Sequence, residues 1–599
     1  MGSSRCSVLV LPQQTSIAVN LTSHKNKCPG LSLWSACLLF AWSLACAAPP
    51  AKPTRSVAVT LDAGLTRQPE TGRMFVLVSE HTDKEPRLVT LLTAAYYFND
   101  TSKLDYAPFF GQDVSALAPG GVVNFAGTEK GFPFAKLAAL PPGTYTIQAV
   151  FSRYEQVTPD GRPAIWLPMD HWEGSQFHLK PGNYYSDVQR ITVTAGHGFH
   201  VALRLNKRIP EAVQPADTRY LKFRKFRSEL ASRFWHRDIP VGINVLLPKG
   251  YDEHPNARYP VIFHMGHFME FNPLHFPHDE PPKTDGPAAE QSPRWLWEGW
   301  QAPDTPRFIV VTILHPTPYY DDSYFVNSDN TGPWQDVLMK EVLPYINREF
   351  RTIDAPWARV LTGGSTGGWI SLYTQITRPE SFGGAWVYCP DMVDYRSLIH
   401  TDMYREDNYF TPDGYKWLQP ERPYSRTVTG GWAVSARQFA QLSDALGTHS
   451  RGGEWLDAYA AMFGPVGPDG YPIPLINWQT GAIDHKVIES WRDRGFDLRD
   501  YMEKHWHELG PKVRGQLFFL CGDMDQFYTN NALYLLEDFL AKTNDPPYEG
   551  SFRYGRPMIG HTFSGIGLDP WPFALMREMA EHIRKRQPQG FDDRQWNYP

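Results

Sequence analysis

Residues 358–375 read "ARVLTGGSTGGWISLYTQ", an apolar run, then four glycines packed around one serine, then a second apolar run. The first run has the length and composition of a buried strand and the second has helical character, so the glycines sit on a strand-to-helix turn. Gly363, Ser365 and Gly367 spell G-x-S-x-G. A serine on such a turn is held in strained backbone geometry, and bulky neighbours would strike the strand and the helix beside it. The turn presents Ser365 Oγ above the sheet at a helix N-terminus, where backbone N–H groups and the helix dipole favour a developing negative charge. Ser365 is therefore the candidate nucleophile.

The surrounding pattern extends this reading. "IPVGINVLLP", "YPVIFHMG", "RFIVVTILHP", "GGAWVYCP" and "GQLFFLCG" are further strand candidates, several of them continuous apolar runs as buried parallel strands require. The segment "GPWQDVLMKEVLPYINREF" places Val337, Leu338, Val342, Leu343, Ile346 and Phe350 on one helical stripe. Strands alternating with helices predict an α/β domain over 213–599 with a mostly parallel sheet flanked by helices. Ahead of it, 49–212 reads differently. "SVAVTLDA", "RMFVLVSE", "GTYTIQAVF", "QRITVTAG" and "FHVALRLN" alternate with period two between turn-rich pieces, which predicts an N-terminal β-sandwich ending in a Pro-bearing linker.

A serine alone is a weak nucleophile near neutral pH, so an acid and a histidine are expected downstream, in that order. "GQLFFLCGDMDQFY" offers Asp523 or Asp525 after a strand. Asp525 is preferred, with Asp523 assigned to cap the following turn, and Asp391, after the strand "GGAWVYC", is the outside candidate. His561, in "RYGRPMIGHTFSG", follows in a glycine-flanked loop.

The pieces "LLPKGYDEHPNARYPVIFHMGHF", "SYFVNSDNTGPWQDVLMKEVLPYINREFRT", "GGSTGGW", "CGDMD" and "GH" together resemble the α/β-hydrolases of the putative esterase group, which includes esterase D-like and enterochelin esterase-like proteins. The resemblance implies the α/β-hydrolase fold, carboxylic-ester hydrolysis through Ser365, Asp525 and His561, and no cofactor. It also implies an oxyanion hole made by the N–H of Thr366 with that of Phe268 or His267, although "HMGHF" departs from the commoner H-G-x-G wording.

Between Asp391 and about Lys512 the chain is too long for a simple crossover and is rich in Tyr and Trp, so a cap insertion over 391–512 is expected above Ser365. Its aromatics would either stack on a substrate or form the cap's own core. His264, His267, His275 and His278, with Glu270 and Asp279, cluster in sequence, but without the fixed spacing of a metal site; no metal is assigned. Cys389 and Cys521 end strands expected to be parallel neighbours, within disulfide range of each other, with the bridge itself left open.

Composition bounds the rest. With 42% hydrophobic, 20% charged and 14% aromatic residues and a net charge of −6, the chain reads as globular, and the acidic balance argues against a nucleic-acid partner. "KNKCPGLSLWSACLLFAWSLACAAPP" has two lysines, a short apolar run and a small-residue triplet, the layout of a secretory signal over 1–48. Cleavage there, acylation of Cys46 and retention as an anchor are all compatible with it. The expectation is an exported serine esterase acting on a small-molecule or carbohydrate-linked ester, with no stable membrane span after processing. The alternatives are an acyltransferase using the same triad, a peptidase of the prolyl oligopeptidase kind, disfavoured because 49–212 holds too few strands for a propeller, and a non-catalytic carbohydrate- or surface-binding protein on a hydrolase scaffold.

Overall fold

The computed structural model describes residues 54–89, 107–170, 176–266, 272–283, 286–415, 417–561, 563 and 572–598. The leader expected over 1–48, with Cys46, lies outside them, as do His267, Phe268 and Glu270. Among the described residues no helix is long and apolar enough to cross a membrane.

Among the described residues the C-terminal sheet has eight strands: β1 (Leu221–Ser228), β2 (Ile239–Leu246), β3 (Val261–His264), β4 (Ile309–Leu314), β5 (Arg359–Ser365), β6 (Gly384–Pro390), β7 (Leu517–Gly522) and β8 (Gly550–Gly555). Their spatial order is β1-β2-β4-β3-β5-β6-β7-β8. β2 runs antiparallel to both neighbours, and every pair from β4 through β8 is parallel. This is an α/β-hydrolase fold. β4 is buried at every position, because helices cover both faces of a parallel sheet and the strand must be apolar on both sides.

The six strands expected from apolar runs are β2 to β7. The two edge strands carried no such signal. β1 reads "LKFRKFRS", with Leu221 and Phe223 buried and basic residues between them, and β8 reads "GSFRYG". Charged edges resist pairing with a second chain, and the same property hides them in a hydropathy reading.

The helix expected after β4 is not one regular α-helix. It runs α over Trp334–Val337, widens to a π-helical turn over Leu338–Val342, and returns to α over Leu343–Glu349. Pro344 has no N–H to donate to the carbonyl four residues before it, so the ladder slips by one residue. The expected apolar stripe is still buried in full, from Val337 to Phe350.

Among the described residues of the N-terminal region ten strands join one hydrogen-bonded sheet, in the order 122–125, 55–61, 199–208, 184–186, 143–157, 70–79, 109–117, 130–132, with 165–167 and 189–193 also paired to 143–157. Val57 and Val123 near one end of this order share a core with Met74, Val76 and Phe110 near the other, so the sheet curls around its own apolar interior. Phe75 and Leu77, which alternate with Met74 and Val76 along the strand, belong instead to the larger core that also contains the eight-stranded sheet. One strand thus serves two cores, one on each face.

Between β6 and β7 lie a hairpin, Pro423–Arg426 with Trp432–Ser435, and the helices Ala436–Leu446, Trp455–Phe463, His485–Asp493 and Leu498–Leu509. Their starts are written locally: Ser435 and Gln438 form a capping box, and Asp484 and Asp497 cap the last two helices. The N-terminal sheet braces this insertion. Arg73, buried and paired with Asp113 at 2.7 Å, donates to Ala445 O at 2.7 Å, and Gln441 donates to Gly131 O at 2.9 Å.

Candidate active site

Ser365 ends β5 and stands immediately before the helix Thr366–Thr377, with φ +54° and ψ −124°. A β-carbon on Gly363 would lie 2.6 Å from Met265 O, and one on Gly367 would overlap the same carbonyl more severely. The turn therefore closes only because two glycines let the end of β3 pass against it.

Asp525 lies in the loop after β7 and His561 in the loop after β8. Gly522 allows the second loop to cross the end of β7, because a β-carbon there would strike the carbonyls of Ile559 and Gly560. Met524 N then donates to Ile559 O at 2.9 Å, and Gln526 Oε1 accepts from His561 N at 2.5 Å. So laced, His561 Nδ1 meets Asp525 Oδ2 at 2.7 Å. Asp525 is fully buried and its Oδ1 also accepts from Phe527 N at 2.8 Å. Arg426 of the cap hairpin donates to the backbone carbonyl of Asp525 at 2.9 Å.

Burial opposes the charged imidazolium of His561, but the Asp525 carboxylate and its hydrogen bond outweigh that, and the ring is pushed up to about 9. Burial likewise tends to raise Asp525, and the attraction of His561 reverses it, so this carboxyl sits below its usual range. His561 Nε2 has no hydrogen-bond partner among the described residues. Together with Ser365 and Asp391, His561 lines a narrow pocket.

Asp523 does not reach the histidine; its Oδ1 accepts from Ile559 N at 3.0 Å, bracing the loop. Asp391 contacts Ser365 instead, its Oδ1 accepting from Ser365 Oγ at 3.0 Å. Its Oδ2 accepts from Tyr324 Oη at 2.7 Å and from Thr366 Oγ1 at 2.9 Å. Thr366, one of the expected oxyanion donors, opens the helix after Ser365, while Phe268 falls outside the described residues. Tyr324, Arg426 and Gln526 were missed by sequence reasoning, because single polar residues in loops carry no periodic or spacing signal. His582, also downstream of the acid, lies on the C-terminal helix Phe573–Arg586 and meets Gly383 O at 2.8 Å.

The cap aromatics divide three ways. Tyr424, Trp455 and Tyr459 line the pocket; Tyr409, Phe410 and Trp491 are buried in the core; Tyr415, Trp417 and Trp432 are exposed. Among the described members of the histidine-rich stretch, His264 is half-buried at 3.4 Å from Tyr388 Oη and lies near enough to His275 to interact with it, whereas His278 stacks on Phe223 and meets Ala216 O at 3.0 Å. Among the described residues the group of possible ligands that converges is Cys389, Asp525 and His561.

Cys389 and Cys521 lie on the paired strands β6 and β7, at the step following the Tyr388–Leu520 pair, and both are free, buried thiols. Burial and the neighbouring Cys389 push the Cys521 thiol well up. Thiol titration of the denatured, unreduced protein lacking 1–48 is expected to find two thiols, both inert to alkylation in the native state because both are buried. A count of zero would show a bridge instead.

The strand order and the serine on its strand-to-helix turn define the class, a serine hydrolase of α/β-hydrolase fold. Residues 316–429, which carry Ser365 and Asp391, match the model of the putative esterase family. No curated protein matches the chain. Among solved structures it is similar to a ferulic acid esterase at 15% identity, covering 61% of this chain and 98% of that one, with a TM-score of 0.30. It is also similar to an S-formylglutathione hydrolase from Agrobacterium tumefaciens at 12% identity, covering 62% and 96%, with a TM-score of 0.32. A third similar structure is a putative dipeptidyl aminopeptidase IV from Bacteroides ovatus, at 12% identity, covering 80% and 55%, with a TM-score of 0.31.

Proposed function

We propose that the protein is an exported serine esterase that cleaves small-molecule or carbohydrate-linked esters through Ser365, His561 and Asp525 and an acyl-enzyme. The observation that carries this reading is the Asp525–His561 pair at 2.7 Å, with His561 and Ser365 lining one pocket. His561 takes the Ser365 proton as Oγ attacks the ester carbonyl, and Asp525 holds the tautomer and stabilises the imidazolium. The N–H of Thr366, with a second donor from the loop after β3, holds the oxyanion; each donor is worth on the order of 3 kcal/mol in the barrier. The imidazolium then protonates the leaving alcohol, and water, activated by the same histidine, releases the acid. In this reading the N-terminal region is a β-sandwich that steadies the cap over the pocket.

Ser365 Oγ donates to Asp391 in this structure, so the attacking state requires a rotation of the serine side chain towards Nε2. Such rearrangement on substrate binding is ordinary, since catalytic hydrogen bonds tighten in the Michaelis complex. Mixing the protein with a p-nitrophenyl ester and quenching within the first turnover is expected to leave one acyl group, found by mass spectrometry on the peptide containing Ser365. An acyl group on any other residue would refute the assignment.

A further inference from the structure

Among the described residues the possible metal ligands converge away from the histidine-rich stretch. Cys389, Asp525 and His561 are far apart in the chain, yet their ligating atoms all lie within 4.8 Å of one another. The backbone of β6 sets the cysteine there. Gly364 pairs with Tyr388 and Ser365 with Pro390, so Cys389 is an extra residue opposite β5. It stands at φ +41°, which a side chain disfavours, and a bulge beside a site re-aims the side chain it carries. Cys521 adds a neighbouring donor, its Sγ 3.8 Å from Asp525 Oδ2 and beside the Cys389 thiol.

The donor set is chemically selective. Thiolate and imidazole with one carboxylate suit zinc and cadmium, not magnesium or calcium. Tetrahedral bonds of about 2.0 Å to nitrogen and oxygen and about 2.3 Å to sulfur set neighbouring ligands roughly 3.3–3.8 Å apart. The Cys521–Asp525 spacing already fits, and the Asp525–His561 pair at 2.7 Å has to open by about half an ångström. A buried dication is costly without matched charge, and here the Cys389 thiolate and the Asp525 carboxylate supply two negative charges. The way in is the pocket, which His561 lines.

We propose that Cys389, Asp525 and His561, with Cys521 as the fourth donor, bind a thiophilic divalent cation such as zinc, and that the bound cation switches hydrolysis off. The cation takes the place of the proton between His561 Nδ1 and Asp525 Oδ2. Coordination deprotonates a thiol outright, so Cys389 gives its proton to solvent, while the proton of Nδ1 moves to Nε2. A ring that carries its proton on Nε2 cannot take one from Ser365, and the enzyme has lost its base. The loss of activity rests on the serine-esterase reading, whereas binding of the cation does not.

The protein lacking 1–48, whose residues 53–599 form one compact unit, keeps only Cys389 and Cys521, so any thiolate-to-metal charge-transfer absorption comes from these two. Titration of the native protein with cadmium chloride is expected to raise that ultraviolet band to saturation at one cation per chain, and excess zinc chloride to abolish it. Cleavage of p-nitrophenyl acetate, corrected for the rate of Ser365→Ala under the same conditions, should fall in step with the band and return when EDTA is added. Loss of an outer-shell partner alone weakens a metal site about 10–100-fold, so removal of a ligand should do no less. In Cys389→Ala the half-inhibiting concentration, read against that variant's own metal-free rate, should therefore rise at least about tenfold. If Cys389→Ala does not fold, Cys389→Ser, which keeps the side chain's shape and loses the soft ligand, is read in its place. Absence of the band in the folded wild type, or inhibition of the variant at the wild-type concentration, overturns the proposal and leaves the esterase reading intact. If the wild type without added cation is no faster than Ser365→Ala, the esterase reading fails, and the band alone decides whether the site exists.

Discussion

Ser365→Ala is expected to fold normally and to lower kcat by roughly five to six orders of magnitude, the scale on which removal of a triad serine acts as loss of the whole unit. The fold should survive because the side chain supports no core. Ser365 is only partly buried, its hydroxyl makes one side-chain hydrogen bond, to Asp391, and alanine tolerates the turn no worse than serine does. The thermal cost should be about 1 kcal/mol. His561→Ala should match it in activity but not in stability. It strips the fully buried Asp525 of its partner at 2.7 Å, and an uncompensated buried charge costs on the order of 3 kcal/mol. Two variants with equal turnover and unequal melting temperatures would therefore separate chemistry from folding. Retention of a tenth of wild-type turnover in Ser365→Ala would remove the serine from the mechanism.

Asp525→Asn should lower turnover by up to roughly four orders of magnitude and should also move the pH profile. In the wild type Asp525 holds the imidazolium of His561 up to about 9. The protonated ring cannot accept the serine proton, so kcat/KM should fall as pH drops through that value and plateau above it. With asparagine at 525 the largest stabilising charge is gone and the acid limb should slide down towards the ordinary histidine value of 6.5, since burial is then opposed only by the lesser effects of Cys389 and Asp391. Asp523→Asn disturbs one loop hydrogen bond, to Ile559 N, and should leave the limb where it is. A profile in Asp391→Asn that shifted as far as that of Asp525→Asn would transfer the orienting role to Asp391.

The difference between these three aspartates was only partly legible in the chain. Asp525 and Asp523 were both visible as acids after a strand, because a continuous apolar run followed by a turn is a local signal. Their roles depend on the loop after β8, which crosses the end of β7 only because Gly522 has no side chain, and no local pattern announces a contact over 36 residues. Asp391 was visible as an acid beyond β6, yet its place against Ser365 depends on β5 and β6 being neighbours in register and on Tyr324 arriving from the loop after β4.

What the amino-acid order determined by itself was everything governed by near neighbours: the buried strands β2 to β7, the turn that holds Ser365, the alternation of the N-terminal strands and the helix stripe from Val337 to Phe350. Burial and steric fit of adjacent residues suffice for these, so they are written in spacing. Tertiary structure alone decided the edge strands β1 and β8, whose charges face solvent and give no apolar run, and the sharing of one N-terminal strand between two cores. It also decided which cap aromatics reach the pocket and which acid meets His561, because such contacts are set by chain crossings between segments far apart in sequence, where the free energy depends on packing that no local window contains.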